Sequence, residues 1–544
     1  MKKGVSILLS LLATVQVGFI SMVYSEIWVV DTTGQEGDSL QLAIDRAYLN
    51  PGIDTVLVKN GIYHLARANG DTGLIMRDSI VLISEGGALN CTLTAIAEDL
   101  SDTARHVVYC SSVSTVTIKG FTIRDGYGGG IYCNRSSLIV DSCIISNNWS
   151  WGGSGIYISG SDVVLNHNLI IYNGAIEYGD GGGVFIDNSF VVISANEISH
   201  NYASNGGGIA IYNSKGTLCS NKVCFNRACN GGGLSIHGDS VVVVDNVIIG
   251  NHARFSANGI TGCGGGLVLG GRCIILVNNE IAHNTADIGG AGLWIAMRSG
   301  FVTLDNNKIC NNIAGSRGWS GWGGGVMVWI LPHNSQVILN NNLIDNNKAG
   351  YGGGAFLGWR YISLILGSVT FNNDLIINNK ADSLGDGIFV YDSSRVVLKK
   401  CVVAGNSGEA IYGSAQCKVW VDSCFVVDNG GIYLPWDADT LSVRHSNLYY
   451  NTFQPDTEIY NYTLIDIPLM NNFWWEITDS AIRGKIIGPA TYTPWVNDFV
   501  EGVPGELTKV DSVRNYKDNS YTTIRDTIWE GDTLYIRVYG QEQL

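Results

Sequence analysis

Residues 231–251 read GGGLSIHGDSVVVVDNVIIGN, and this stretch contains every part of a unit that recurs through most of the 544-residue chain. Three glycines precede an apolar residue, a run of four valines follows, and Asn246 and Asn251 then flank the apolar Ile248. The apolar runs have the length and composition of strands rather than helices, and glycine supplies the positive φ that a tight corner needs. The unit therefore predicts three short strands separated by three turns.

The second asparagine of the unit gives the length of the repeat: its successive copies lie 22 to 35 residues apart. These copies are Asn148, Asn173, Asn201, Asn226, Asn251, Asn284, Asn312, Asn347, Asn379, Asn406, Asn429 and Asn451. Strands this short cannot form a stable sheet within one unit, so we predict a solenoid whose coils stack at about 4.8 Å with parallel strand pairing. A β-propeller blade needs about 40 residues, which is longer than most of these periods.

Five positions before the second asparagine lies a further polar row. Its members are Asn168, Asn196, Asn221, Asn246, Asn279, Asn307 and Asn342, with Cys143, Cys401 and Cys424 in outer copies. A buried asparagine at a turn can bond its amide to the asparagine one coil away, which satisfies backbone groups that no helix covers. We predict two buried asparagine rows, and we expect Cys401 to lie directly against Cys424.

These repeats resemble those of the right-handed parallel β-helix superfamily, the pectate-lyase-like fold. Corners such as Gly206-Gly207-Gly208-Ile209 and the asparagine unit also resemble the Gly-Gly-x-Ile and Phe-x-x-Asn repeats of polymorphic outer-membrane proteins, with Ile or Val usually in place of Phe. The resemblance implies an all-β, right-handed parallel β-helix over residues 26–500.

An N-terminal capping helix is also expected from the resemblance, in residues 37–47. Ser39 is the expected N-cap, and Leu40, Ile44 and Ala47 give one apolar face. Such a helix would cover the open end of the first coil, which otherwise exposes unpaired strand edges.

The two ends of the chain have different compositions from the repeats. Residues 1–25 carry two lysines and then a long apolar run, which predicts a signal peptide; an uncleaved membrane anchor is the alternative. No later segment is long and apolar enough to cross a membrane. Residues 501–544 form a predicted linker and a short, partial β segment, which either belongs to a longer chain or docks on the solenoid.

Charge and cysteine content restrict the possible partners. The formal net charge is −15, which argues against nucleic acid as a partner. The thirteen cysteines are irregularly spaced without a Cys-x-x-Cys motif, so we predict no zinc site and mostly buried thiols. The odd number leaves at least one thiol free or paired outside the chain.

Catalysis is not marked by any motif that we can align. Lyases of this fold bind Ca²⁺ through stacked carboxylates, and no aligned column supplies such a stack. The outward column that contains Lys399, Asp422 and Arg444 alternates in sign, which predicts a surface ladder of ion pairs with little energetic value. We therefore expect no resident cofactor, with Ca²⁺ only if the chain is a lyase.

The main functional signal is aromatic. The apolar residue after each glycine corner should point inward, so strand alternation predicts that the following residue points outward. This outward column consists of Tyr132, Tyr157, Phe185, Ala210, Ser235, Val268, Trp294, Met327, Phe356, Phe389, Tyr412 and Tyr433. Eight of these twelve residues are aromatic. The predicted ligand-binding residues are Trp294, Trp329, Phe356, Trp359, Phe389 and Tyr391, on an exposed face. An aromatic ladder that stacks on itself or lies under loops is the alternative.

Together these features predict a secreted or cell-surface β-helix protein that binds polysaccharide or another surface partner through its aromatic face, without catalysis. A polysaccharide lyase or glycoside hydrolase of the same fold is the alternative. A passenger domain that mediates adhesion is a third interpretation, which needs an anchoring segment elsewhere.

Overall fold

The computed structural model describes most of the repeat region. The described residues are 24–31, 37–50, 52–65, 72–95, 106–175, 179–256, 262–297, 299–315, 321–330, 335–358, 367–391, 394–414, 416–449, 451, 458–462, 467–474 and 479–491. Most of the predicted signal peptide and the whole of segment 501–544 therefore lie outside the described residues, and the predicted boundaries at 25 and 500 stay predictions.

Each coil contributes one strand to each of three long parallel sheets, called A, B and C here in their order along a coil. Sheet A has 16 strands: Tyr24–Val30, Ile53–Val58, Ile80–Ser84, Val116–Lys119, Ser137–Asp141, Asp162–Asn166, Phe190–Ser194, Lys215–Cys219, Ser240–Val244, Cys273–Val277, Phe301–Asp305, Gln336–Asn340, Ser368–Asn372, Arg395–Lys399, Lys418–Asp422 and Thr440–Arg444.

Sheet B follows sheet A across the first asparagine turn and has 15 strands: Gly61–Leu65, Cys91–Ala95, Thr122–Arg124, Ile144–Ser146, Leu169–Ile171, Glu197–Ser199, Lys222–Cys224, Val247–Ile249, Glu280–Ala282, Lys308–Cys310, Leu343–Asp345, Leu375–Ile377, Val402–Ala404, Phe425–Val427 and Asn447–Tyr449.

Sheet C follows the glycine corner and has 16 strands: Thr72–Ile75, His106–Ser111, Gly129–Asn134, Ile156–Ser159, Val184–Asp187, Ile209–Tyr212, Leu234–His237, Leu267–Leu269, Leu293–Met297, Val326–Ile330, Ala355–Leu357, Ile388–Val390, Ile411–Gly413, Ile432–Leu434, Ile459–Asn461 and Ile486–Ile487. The all-β parallel β-helix is thereby confirmed.

The middle coils differ from the prediction of three strands, because a fourth, short sheet D lies between sheets B and C. Its nine strands are Trp149–Ser150, Gly174–Ala175, Tyr202–Asn205, Arg227–Asn230, His252–Ala253, Thr285–Ala286, Ile313–Ala314, Lys348–Tyr351 and Lys380–Leu384. Most are two to four residues long, so they carry no readable alternation of apolar and polar residues, and the sequence therefore did not reveal them.

Alternation along the strands builds one continuous core. In the strand Ser240–Val244, the side chains of Val241 and Val243 are buried while their neighbours face outward. Equivalent inward positions in sheets B and C, such as Ile248 and Ile236, are also fully buried. Because each coil repeats this pattern in register, the apolar rows run the length of the described solenoid, which is the geometry expected for a stacked repeat.

Glycine at the corner has a specific backbone role. Gly231 has a φ of 61°, a left-handed conformation that side chains disfavour. A Cβ on Gly232 would lie 2.5 Å from the carbonyl oxygen of Gly265 on the next coil, so two backbones meet there at a distance that only glycine permits.

The two asparagine rows are confirmed, and the hydrogen bonds from one asparagine to the next all run in one direction. The Asn246 side-chain amide donates to Asn279 Oδ1 at 3.0 Å and to the Leu218 carbonyl at 2.9 Å, while its own Oδ1 accepts from Asn221. Within each row, an asparagine thus donates to its neighbour on the C-terminal side and accepts from its neighbour on the N-terminal side. The first row reaches the carboxylate of Asp374 and the second reaches that of Glu458.

Two helices accompany the sheets in the described part of the chain. Helix α1, Gly37–Tyr48, covers the first coils with Leu40, Ile44 and Ala47 fully buried, as predicted. The helix begins at Gly37, two residues before Ser39. Ser39 therefore lies within the first turn and is not the N-cap that the sequence predicts. Helix α2, Asp479–Gly484, lies near the last coils beside a two-stranded pairing of Ile467–Pro468 with Ala490–Thr491. Among the described residues, no helix is long and apolar enough to cross a membrane.

Candidate functional site

The outward column of sheet C has the register that the sequence predicts. Tyr132 pairs with Tyr157, Tyr157 with Phe185, and the in-register pairing continues through Trp294 to Tyr433. Tyr109 extends the column by one coil toward the N-terminus, and Tyr460 extends it by one coil toward the C-terminus. The column is therefore one continuous row of side chains, but its parts differ in exposure.

The middle of the column is buried, which corrects the expectation of an exposed face. Trp294, Phe356 and Phe389 are only 9%, 6% and 5% exposed. They form a satellite core with Met327, against which Ile288, Trp322, Tyr351 and Leu384 pack. The aromatic residues here are covered because the coils widen at the glycine corner, where Trp322 and Tyr351 join the ladder of sheet D through isolated bridges.

The remaining predicted binding residues lie beside this satellite core. Trp329 stacks on Trp294 with ring centroids 5.8 Å apart, and Tyr391 stacks on Phe389 at 6.0 Å. Both are half-buried, and Trp359 lies outside the described residues. The structure thus brings five of the six predicted residues together, and their role in ligand binding stays a prediction.

The open part of the column lies nearer the N-terminus, where the side chains line a groove of about 510 Å³. We call it the tyrosine groove; it is lined by His106, Gly128, Tyr132, Ser150, Trp151, Gly152, Tyr157, Gly179, Asp180 and Phe185. Tyr132, Tyr157 and Phe185 are half-buried, whereas Trp151 is 57% exposed. A concave surface with aromatic walls and a few polar groups has the composition of a ligand site.

Ring geometry determines which aromatic surfaces a ligand can reach. Tyr109, Tyr132, Tyr157 and Phe185 stack with centroids 4.8, 5.1 and 5.2 Å apart and interplanar angles of 4°, 2° and 12°. Their faces are therefore covered by one another, and the row offers ring edges and tyrosine hydroxyl groups. A ligand that stacks on an aromatic face must use Trp151 instead.

One carboxylate stands in the groove. Asp180 accepts a hydrogen bond from the Tyr212 hydroxyl at 2.8 Å and two from Asn205, at 2.8 and 3.0 Å. Burial, followed by the charge of Asp180, raises the pKa of Tyr212, so its phenol stays protonated and holds the carboxylate in place. The carboxylate is thus a fixed hydrogen-bond acceptor at the edge of the groove.

His106 is the other titratable group of the groove. Burial lowers the pKa of His106 to about 4, so the imidazole is neutral at physiological pH. Its Nδ1 is buried without a hydrogen-bond partner, and its ring lies 4.8 Å from that of Tyr132. The groove contains no lysine or arginine among its lining residues, so Asp180 gives it a negative charge.

Trp151 is the residue that sequence reasoning missed, because it precedes the glycine corner and falls outside the aligned columns. A second missed group occupies the column just before the second asparagine, where Tyr172 and Phe225 are exposed with φ of 55°. Most other copies of this column hold Asn, His, Gly or Asp, which tolerate this conformation better. The sequence signal that could have revealed this group is a bulky aromatic residue in a turn column that otherwise favours small or polar residues.

A carboxylate pair also escaped the column alignment. Asp386 and Glu409 replace glycines at the corner of neighbouring coils, where Gly385 N–H donates to Glu409 Oε2 at 3.0 Å. Burial, together with the charge of Glu409, raises the pKa of Asp386 to about 6. In the described part of the chain, no three His, Cys, Asp or Glu side chains are grouped to hold a metal ion.

Comparison with known families agrees with this architecture. A family model described as "Right handed beta helix region" matches residues 62–223, 106–254, 182–365 and 363–472, which overlap to cover most of the chain. The chain belongs to the right-handed β-helix family. No curated protein matches it.

Several solved structures are similar to this β-helix at low identity. The Azotobacter vinelandii mannuronan C-5 epimerase AlgE4 A-module is 14% identical, with a TM-score of 0.30, over 87% of this chain and 99% of that chain. The tailspike protein of E. coli bacteriophage HK620, solved with a pentasaccharide, is 12% identical, with a TM-score of 0.39, over 79% of this chain and 74% of that one.

The Streptococcus pneumoniae surface protein and adhesin PfbA is 11% identical, with a TM-score of 0.32, over 86% of this chain and 100% of that chain. The family assignment of this β-helix protein rests on the family model alone.

Proposed function

We propose that this chain is an exported or cell-surface β-helix protein that binds a neutral polysaccharide in the tyrosine groove, without catalysis. The observation that carries the proposal is the exposed indole of Trp151 beside the row of tyrosine edges, in a groove of about 510 Å³. A pyranose ring has an apolar face for Trp151 and hydroxyl groups for Tyr132, Tyr157 and Asp180. This division of contacts is typical of small polar ligands in clefts.

The negative charge of the groove favours neutral saccharide units over anionic ones. Among the described residues that line it, Asp180 alone is charged, because His106 is neutral. A uronate or sulfated unit placed beside this carboxylate would meet like-charge repulsion in a partly desolvated site. Neutral units lose nothing there, and their hydroxyl groups can donate to Asp180.

Export is supported by the sequence of residues 1–25, in which lysines precede a long apolar run. An extended solenoid face also suits a long polymer, because each coil repeats the same surface at a fixed spacing. These features support a ligand outside the cell, where polysaccharides are abundant.

The test is affinity electrophoresis in gels that contain neutral polysaccharides. We expect Trp151→Ala to weaken retention about tenfold, since it removes the indole face that the described lining residues offer. Tyr157→Phe should weaken retention less, because only a hydroxyl is lost. Trp436→Ala is the matched control, because Trp436 is exposed on distant coils. Equal retention of Trp151→Ala and Trp436→Ala on every gel would remove the proposal.

The enzymatic alternative is separated by product analysis. The chain is incubated with neutral and uronate polysaccharides, with and without Ca²⁺, and new reducing or unsaturated ends are measured. We expect retention without new ends. Product formation that Asp386→Asn and Glu409→Gln abolish would instead assign the chain to the hydrolases or lyases of the fold.

A further inference from the structure

A second groove lies on sheet A, whereas the tyrosine groove lies at sheet C. Three neighbouring strands there, Arg395–Lys399, Lys418–Asp422 and Thr440–Arg444, pair in register. Their outward side chains form a grid with three rows. The rows are Arg395, Val397 and Lys399; then Lys418, Trp420 and Asp422; and then Thr440, Ser442 and Arg444.

The charges of this grid do not pair as the alternating column predicts. Asp422 contacts His445, with Nδ1 and Oδ1 3.0 Å apart, and Lys418 pairs with Asp439 at 3.2 Å. Lys399 and Arg444, the expected partners of Asp422, form no ion pair with any described residue. The predicted ladder of ion pairs is therefore wrong: Lys399 and Arg444 flank Asp422 in register, yet neither of these exposed cations pairs with it.

A third cation is held in place by an aromatic ring. The guanidinium carbon of Arg395 lies 4.9 Å from the centroid of the Trp420 ring. This cation–π contact fixes the plane of the guanidinium while its N–H groups remain able to form a bidentate pair with an oxyanion. Arginine oriented in this way has lost part of the rotamer freedom that binding would otherwise cost.

The shape of the surface completes the site. A groove of about 400 Å³ is lined by Val397, Lys399, Trp420, Val421, Asp422, Ser442, Arg444 and His445. Its floor is apolar at Val397 and Trp420, and its rim is cationic at Lys399 and Arg444. On a chain with a net charge of −15, such a local excess of cations opposes the field of the whole molecule.

We propose that this surface binds a saccharide unit that carries a carboxylate or sulfate group, as part of an acidic glycan. The apolar face of the sugar packs on Val397 and Trp420, and the oxyanion pairs with one of the surrounding cations, Lys399 and Arg444 at one edge or Arg395 at the other. A sugar fits better than a nucleic acid strand, because the overall charge repels a long polyanion with phosphates on every unit. The protein would thus bind neutral units on sheet C and acidic units on sheet A.

The experiment measures binding of oligogalacturonate, of sulfated dextran oligosaccharide and of unsubstituted dextran oligosaccharide to the full chain by isothermal titration calorimetry. The double variant Lys399→Ala/Arg444→Ala should weaken binding of at least one acidic ligand about tenfold or more. Arg395→Lys, which keeps the charge and loses the bidentate fork, should also weaken it. Lys215→Ala is the matched control, because Lys215 occupies the Arg395 column on a distant coil of sheet A.

The substituted side chains, Lys399, Arg444, Arg395 and Lys215, are all exposed. Their replacement should therefore leave the melting temperature unchanged, and a loss of binding would report on the site itself. The proposal is overturned if unsubstituted dextran binds this surface as tightly as the acidic ligands, or if the double variant binds them like the parent. Equal competition by a single-stranded oligonucleotide would reassign the surface to nucleic acid, and equal competition by inorganic sulfate would reduce it to a general anion site. Trp151→Ala serves as the separating variant, because it should leave acidic ligands unaffected whether or not the tyrosine groove binds.

Discussion

Asn342 donates two hydrogen bonds to one carboxylate oxygen of Asp374, from its backbone N–H at 2.7 Å and from its side-chain amide at 2.8 Å. The second oxygen of Asp374 accepts from the backbone N–H of Asn372 at 2.9 Å. Burial outweighs these donors and raises the pKa of Asp374 to about 7. A proton on this carboxyl group is therefore coupled to the stability of the solenoid.

Asp374→Asn should change how stability depends on pH. The pKa of Asp374 is raised on folding from about 3.9 to about 7, so its stabilising contribution is complete below about pH 4 and is lost as the pH rises to about 7, by at most about 4 kcal/mol. Asparagine has no such titration and can donate to the Leu339 carbonyl as its neighbours do to theirs. We expect the variant to gain stability over the parent as the pH rises.

Urea unfolding from about pH 4 to about pH 8 measures this difference. Asp162→Asn is the control, because Asp162 is exposed on sheet A and its replacement should leave the parent profile unchanged. A constant difference in unfolding free energy between Asp374→Asn and the parent over this range would contradict the coupling.

Asn246→Ala should destabilise the middle of the first asparagine row. It removes the partner of the Asn221 backbone N–H and leaves the Leu218 carbonyl without its donor, in a buried site. At about 1–3 kcal/mol for each unsatisfied group, we expect a loss of at least about 2 kcal/mol in unfolding free energy. Asn134→Ala, at a half-buried position of sheet C, is the control. Coincident unfolding curves for the two variants would argue against a structural role of the row.

Phe356→Ala should lower stability and leave polysaccharide retention unchanged. Its ring is 6% exposed and stacks on Phe389 with centroids 5.3 Å apart, so truncation leaves a cavity that costs about 3–5 kcal/mol. Trp294→Ala should behave similarly. Phe190→Ala, whose ring is exposed on sheet A, should change stability by less than about 0.5 kcal/mol. Weaker retention of Phe356→Ala at an unchanged melting temperature would restore the middle column as a binding site.

Native thiol labelling should reach few cysteines. All thirteen cysteines lie in the described part and carry free thiols, of which only Cys219, Cys229 and Cys273 are half-buried rather than buried. Burial raises the pKa of Cys143 to about 12, and a thiol that stays protonated reacts slowly. Mass spectrometry after alkylation should show at most three labels on the folded chain. Full labelling only after reduction of the unfolded chain would reveal a disulfide, with Cys401 and Cys424 the nearest pair.

The periodic features of this fold could be predicted because one sequence position has one environment in every coil. Asn251 and its counterparts occupy the same turn, and Cys401 lies against Cys424, with a 3.4 Å contact from the Cys401 N–H to the Cys424 sulfur, as the column alignment requires. The register of the aromatic column was correct for the same reason, since strand alternation fixes which side chains face outward.

Exposure could not be predicted in the same way, because it depends on segments that break the repeat. Trp294 and Tyr132 occupy one column, yet only Trp294 is covered by residues from widened corners such as Trp322. Pairing between charged side chains was also misjudged: Asp422 selects His445 rather than its column neighbours. A long charged side chain can reach several oppositely charged groups, and the sequence spacing does not predict with which of them it forms an ion pair.

The one-way hydrogen bonding of the asparagine rows gives the solenoid an electrical polarity. In each row the side-chain amide oxygen accepts from the preceding coil and one amide N–H donates to the asparagine of the next coil, so these dipoles add along the axis much as peptide dipoles add in an α-helix. Asp374 and Glu458 stand at the donor ends of the two rows, the place where a helix carries its capping acid. Lengthening an asparagine row past either carboxylate is therefore not a neutral change: the new last asparagine needs an acceptor for its amide, and a carboxylate at the end of the row is the solution this chain already uses.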